Sequence, residues 1–331
     1  MNDERKQPND ANLKGLVVFK EEKSSKVIEQ ESISLEQVDQ EDKIKIVHEF
    51  MPFGSSYRYT LLIANQSKAP ISEAKIKIRF PEFVDLIRCH PPECVNKLEQ
   101  LEDGVKQIKI QANKIEANSQ IQYNFFLTPL YLDAEGEIRS FLTFINSQDY
   151  VRALDSKPIL AIFSPITIER KILPTSQIKA FSESPHNKRA IRSIGIASNE
   201  KFDQDLYFHL LQDVMENQNY QLITKIEKNR ISWYFGTDLV SGLDILVVAQ
   251  IIKNKVEWFA LCKNPHVIIS VLTKLVNEFI VLVIFRKLIE APNQVFNLEC
   301  KNCGAVLPYF PGKGETINCD NCNAQQIVWS E

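Results

Sequence analysis

The chain lacks a long apolar run. Its greasiest stretch, FIVLVIF at 279–285, is seven residues closed by Glu278 and Arg286. A membrane span needs about 20 predominantly apolar residues, so none is expected. Charge of one sign is missing too: 39 Lys and Arg against 42 Asp and Glu leave a formal net charge of −3. No global basic field would draw such a chain onto nucleic acid or anionic lipid. Histidine is scarce, with five in 331 residues, and neither H-E-x-x-H nor G-x-S-x-G occurs. With no acid–base or nucleophile constellation in view, an enzyme is not expected. The GKG at 312–314 lacks the rest of a phosphate loop. Residues 1–12 (MNDERKQPNDAN) are polar, with no apolar core of a secretory signal behind them. No solenoid-type repeat is visible.

Cysteine is present, in an informative pattern. The count of seven is odd, and four of them fall in two close pairs, which argues against a disulfide scaffold. Cys300 and Cys303, then fifteen residues, then Cys319 and Cys322 form C-x2-C…C-x2-C. Two thiolates three positions apart on a tight turn can reach one ion, and two such turns complete a tetrahedron. Gly304 follows Cys303, where the chain must turn under the sulfurs. Residues 296–331 are therefore expected to form a zinc ribbon holding one structural Zn2+. All four ligands come from the protein, which leaves no open position for catalysis. Thiolate ligation also implies a reducing compartment, hence a cytoplasmic location. The ribbon carries Lys301 and Lys313 against Glu299, Glu315, Asp320 and Glu331, a poor match to a phosphate backbone. A second group, Cys89, His90 and Cys94 in CHPPEC, has no further ligand pair nearby and is read as a loop with incidental thiols.

Upstream, the pattern has period two. Residues 57–64, 74–80, 105–110, 121–127, 138–145 and 159–168 read as strands separated by Asn, Ser, Pro and Gly. Short strands at this spacing predict an Ig-like antiparallel β-sandwich over 44–178, after a charged, partly disordered segment at 1–43 with a candidate strand at 15–19. Residues 179–190, with Ser182, Ser184, Pro185 and Asn187 in and around them, read as a linker. A strand at 191–197, a helix at 203–217 capped by Asp203 or Asp205, four strands between 220 and 262 and a helix from 265 to about 290 follow. The order β-α-β-β-β-β-α over 191–290 predicts an α+β unit with helices on one face of an antiparallel sheet. That order is TATA-binding-protein-like, but the unit occurs once and its eleven basic residues are matched by eleven acidic ones. Nucleic-acid binding is not expected.

The stretch from 219 to 279, including NYQLITK, WYFGTDLVSGLDILVVAQIIKNKVEWFALC and KNPHVIISVLTKLVNEF, resembles the platform subdomain of the β-adaptin appendage, or ear. The coatomer gamma subunit carries a relative. The resemblance implies an Ig-like sandwich before the platform, and a non-catalytic module binding short peptide motifs of protein partners in vesicle-mediated transport. It also implies peripheral membrane association through a coat complex. Cys262 matches a family cysteine. The family's groove tryptophan falls where this chain has Asp244, its groove aromatic at Val256, and its acidic residue at His266. The peptide site expected here comprises Trp258 with Lys253, Lys255 and Lys263, flanked by Asp244 and His266. The alternative is a transcription-associated zinc-ribbon factor. The helix is apolar on every side over 280–285, so something beyond one sheet must cover it, and the ribbon is expected to do so.

Overall fold

The computed structural model describes residues 43–102, 104–198 and 202–330. Residues 1–42, with the candidate strand at 15–19, lie outside them. The first unit is two antiparallel sheets sharing one core. Strands β1 (Ile44–Phe53), β2 (Ser56–Asn65), β4 (Val84–His90) and β7 (Ser119–Pro129) form one sheet in the order β1-β2-β7-β4. Strands β3 (Ile71–Phe80), β5 (Leu98–Gln100), β6 (Lys106–Ile115), β8 (Ala134–Ile145) and β10 (Ile159–Phe163) form the other, in the order β10-β8-β3-β6-β5, with β9 (Val151–Asp155) on β8. Alternation does the sorting. Ile76 and Ile78 on β3, Ile108 and Ile110 on β6, and Leu142 on β8 point inward against Tyr59, Leu61 and Phe125 of the other sheet. Gly54, at φ +61°, opens the two-residue turn joining β1 to β2. Buried Asn65 donates to the carbonyls of Ala69, Ile115 and Glu116, tying three loop ends together.

This unit ends sooner than its sequence suggests. Ile168–Arg170 (β11) belongs to the next sheet, where it pairs with β14 (Ile231–Asp238). The expected linker is largely ordered: Thr175–Ser182 is a helix, α1, and β12 runs over Lys188–Ile196. The second sheet has the order β11-β14-β15-β16-β12-β17, with β13 (Gln221–Ile226) also on β14. Here β15 is Asp244–Ile252, β16 is Lys255–Cys262 and β17 is Val295–Asn297. Helices α2 (Gln204–Asn217) and α3 (Pro265–Phe285) cover one face, and the Asp203 carboxylate caps α2 by accepting from the amides of Asp205 and Leu206. The expectation of helices on one face is incomplete, because α1 covers part of the other. Phe181 meets Phe235 edge-on at 5.3 Å, over Leu246 and Leu261. Two covered faces explain why β15 and β16 are apolar almost without interruption.

Helix α3 lies between the two units. Val271, Leu272, Leu275 and Phe279 pack on the seven-stranded sheet, while Ile269 joins the core of the two-sheet unit. Lys274 donates to the Ile166 carbonyl at 2.7 Å, and Asn277 donates to that of Leu130 at 2.8 Å. At 21 residues, with a mean hydropathy of 2.3 over its most apolar 18-residue window, the helix is long and apolar enough to cross a membrane. The packing is that of a core helix: 56% of that window is buried within the protein. The two-sheet unit meets the helix over 266–277. Within 280–285, Val283 is buried in the core of the seven-stranded sheet, and the core of the cysteine-bearing segment includes no residue of α3. That corrects the expectation, and the last turn stays open: Val281 is 63% exposed and Phe285 78%.

Candidate metal centre

The last 36 residues begin as a strand. β17 pairs antiparallel with the free edge of β12, and the ladder continues as the Leu298 amide donates to the Ser193 carbonyl. Each cysteine pair then lies on a tight turn of the same design. The Gly304 amide donates to the Cys300 carbonyl at 2.8 Å, and the Asn323 amide to that of Cys319 at 2.9 Å. Both residues after the second cysteine are left-handed, Gly304 at φ +78° and Asn323 at φ +56°. Glycine and asparagine adopt that region most readily.

The turns face each other and bring all four sulfurs within 4.8 Å of one another. Cys300 and Cys322 are 3.7 Å apart, Cys303 and Cys319 3.6 Å. An ion with metal–sulfur bonds of about 2.3 Å sets tetrahedral edges of about 3.8 Å, so the four thiols are close enough to hold one metal ion. The turns also exchange hydrogen bonds: Asn302 donates to the Cys322 sulfur at 3.6 Å, and the Asn321 side chain bonds to Cys303. Burial pushes the Cys300 thiol up to about 12. At Cys303 burial acts in the same sense, but the Asn321 side chain, the Ala305 amide and the neighbouring thiols outweigh it and bring the thiol down to about 6. Four sulfurs this close repel one another when ionised, so a cation among them favours the all-thiolate form.

Part of that positive charge comes from another unit. Arg88 on β4 is only 6% exposed, with its guanidinium carbon 3.3 Å from the Phe126 ring centroid. A Cβ at Gly304 would lie 2.5 Å from an Arg88 terminal nitrogen, so any side chain there would displace the guanidinium. Burial lowers the Arg88 pKa, and Glu299, Cys303 and Cys300 oppose that shift by their charge. Beside it, buried Arg192 of β12 donates to the Ser55 carbonyl and, at 3.0 Å, to the Thr128 hydroxyl. The Ser55 hydroxyl donates to Glu299 at 2.7 Å. The three parts of the chain thus meet at two arginines, one glutamate and the thiols, beside a cleft of about 330 Å³.

The other flank is held from the β15–β16 turn. Asn254 exchanges two hydrogen bonds with the Phe310 backbone, and Lys255 donates to the Leu307 carbonyl at 3.0 Å and to Glu257 at 3.1 Å. The Phe310 ring lies against Gly195, where an added Cβ would meet it at 2.3 Å, and forms a three-ring cluster with Phe296 and Trp329, centroids 5.6 to 6.1 Å apart.

The expected peptide site does not assemble. Trp258 is wholly buried, edge-on to Phe279 at 5.4 Å beneath α3, because its strand turns that position inward. Lys255 is buried in the contact just described, and the Lys253 ammonium is 5.6 Å from the Tyr309 ring centroid, so both attach the cysteine-bearing segment. Asp244 is at the far end of β15, bonded to Lys171 at 2.7 Å and to the Thr237 hydroxyl at 2.6 Å. Lys263 shares a cleft of about 410 Å³ with it. His266 is elsewhere again, hydrogen-bonded through Nδ1 to the Tyr57 hydroxyl at 3.1 Å, and burial lowers its pKa. Cys89 and Cys94 are buried in the two-sheet core while His90 is exposed. Among the described residues, only the C-terminal four cysteines group as metal ligands.

No family model matches the chain, and no curated protein does. Solved structures share distant likeness. The major pilin subunit BcpA of Bacillus cereus is 8% identical with TM-score 0.28, covering 65% of this chain and 66% of the pilin. A GH20 exo-β-N-acetylglucosaminidase from Vibrio harveyi is 12% identical with TM-score 0.23, covering 66% and 39%. The putative ApaA protein from Bordetella pertussis is 10% identical with TM-score 0.23, covering 36% and 91%. Likenesses this weak carry no argument about activity.

Proposed function

We propose that the chain is a non-catalytic, adaptor-type interaction module whose C-terminal zinc ribbon is a structural fastening. The observation that carries this reading is the closed set of four thiols, built into a junction between the parts of the chain. Four sulfur ligands favour zinc over harder cations, and a filled tetrahedron leaves no site for water or substrate. The order of a two-layered Ig-like sandwich, then β-α-β-β-β-β-α, also supports an appendage of β-adaptin type. In that setting the chain would bind short peptide motifs of protein partners, in the cytoplasm, at the periphery of a coat. Elemental analysis of protein purified without chelator should give one zinc per chain. A peptide-display screen against the zinc-loaded full chain should return one shared short motif. A chain that returns none, and instead binds random duplex DNA with a steep salt dependence, is a nucleic-acid factor and overturns the reading.

A further inference from the structure

A wide cleft lies away from the four C-terminal cysteines, on the outer face of the sheet formed by β3, β6, β8 and β9. It has a volume of about 750 Å³. Inward residues of these strands fill the core, so the outward ones form the floor in register. Lys77 is directly opposite Lys109 on one side and Phe141 on the other, and Lys75 is opposite Gln111 and Thr143. One step along, Arg79 is opposite Arg139. Like charges directly across a strand pair cost stability, and here two such pairs lie side by side. Glu73, Glu99 and Glu137 meet Lys75, Lys109 and Arg139 at the rim, but the cleft itself is lined by Lys75, Lys77, Lys97 and Lys109 against Asp155 alone. A basic, partly apolar furrow along a sheet suits an extended acidic peptide.

The chain itself carries one. Residues 27–42 (VIEQESISLEQVDQED) hold six acidic residues and neither lysine nor arginine. The segment also alternates: Ile33 and Leu35 would share one side of an extended chain. Its exit point is favourable. The Lys43 carbonyl accepts from the Gln66 amide, and neighbouring Asn65 donates to the carbonyl of Ile115, the last residue of β6. Lys109 lies six residues back along β6, about 20 Å at a strand's rise per residue. Fourteen extended residues reach roughly 45 Å. We propose that residues 27–42 dock on the basic outer face of the six-stranded sheet, so that the chain masks its own anion-binding surface.

Zero-length carbodiimide cross-linking of the full chain tests this directly, because it joins carboxylates to lysines in contact. The expected links run from Glu29, Glu31, Glu36 and Asp39 to Lys75, Lys77, Lys97 and Lys109. In an equal mixture of natural and isotope-labelled chains they should join only segments of one isotope. Lys77→Glu with Lys109→Glu should cut the links to Lys75 and Lys97 by roughly tenfold, since repulsion replaces attraction. Lys77→Arg with Lys109→Arg should leave them unchanged. Links spread evenly over other surface lysines, links between differently labelled chains, or insensitivity to the glutamate pair would each overturn the proposal.

Discussion

The two-sheet unit and the C-terminal cysteine-bearing segment are stabilised in opposite ways. The first buries a long roster of its own side chains between its sheets, with Tyr59, Leu61, Ile63 and Phe125 wholly enclosed. The second has only Leu298, Leu307, Phe310, Ile317 and two cysteines fully buried around Ala197 of the neighbouring unit. Its strands β18 (Thr316–Asn318) and β19 (Gln325–Ile327) are three residues each. A core so small cannot offset the conformational entropy of ordering its chain. It borrows contacts instead, from a strand edge, Lys255, Asn254 and Arg88, and a metal held by the four thiols, as proposed, would supply the rest.

Breaking the metal set should therefore give the largest contrast. Structural zinc contributes about 10–16 kcal/mol of apparent binding free energy, and for such a segment that is folding free energy. Cys303→Ser or Cys319→Ser should unfold residues 298–330 and leave the rest folded, as hydrogen exchange followed by mass spectrometry would reveal. Protection lost equally in the two-sheet unit would show the two regions to be one cooperative block. The reverse experiment is Phe125→Ala. Its cavity should cost about 3–5 kcal/mol and lower the melting temperature without releasing zinc from the folded protein.

The arginine at the junction sharpens the comparison, since it is the charge that one region lends the other. With zinc bound as proposed, the four thiolates would leave two net negative charges, and Arg88 is buried beside them. Arg88→Met should speed zinc loss to a chromophoric chelator by an amount corresponding to about 1–3 kcal/mol, and Arg88→Lys should restore part of it. Gly304→Ala should act in the same direction, because its Cβ strikes the guanidinium and its φ is left-handed. Equal zinc loss in Arg88→Met and wild type would show that the two-sheet unit contributes packing alone.

How much of this was legible follows the range of the interactions. The cysteine spacing, the Asp203 cap and the strands of the second sheet depend on residues near in sequence, and these agree with the structure to within a few positions. The extent of the first unit was misjudged because β11 has a strand's composition whichever sheet it joins. Helix α1 was hidden by the turn-forming residues around it, although Ile178 and Phe181 are spaced to share a helix face. Trp258 looked like a docking residue because it is an aromatic beside the basic Lys253 and Lys255 in a stretch resembling a peptide-binding platform, and composition alone does not say which face a helix covers. Arg88 and Arg192 gave no signal, since their partners, Ser55, Phe126, Thr128 and Gly304 among them, are distant in sequence. The repeated C-x-N-C was readable: Asn302 and Asn321 stand at matching places in the two turns.

The smallest expected effect concerns the seam between the two large units, which neither metal nor strand pairing holds. His266, at the start of α3, shares a hydrogen bond with Tyr57 of the two-sheet unit, and burial holds its pKa below the usual 6.5. Where the folded pKa is the lower, the unfolded chain binds more protons, so stability is fully present above the unfolded value. It declines as the pH falls below about 6.5, toward the folded pKa. His48 is shifted in the same sense by its own burial, and protons also compete with metal for the thiolates. The difference between the wild type and His266→Gln isolates the seam from both. Urea midpoints should fall with acidification in both proteins, and slightly less in His266→Gln. Parallel curves over pH 7.5 to 5.5 would mean that the imidazole at this seam stays neutral or stays solvated, and that the helix is held there by packing alone.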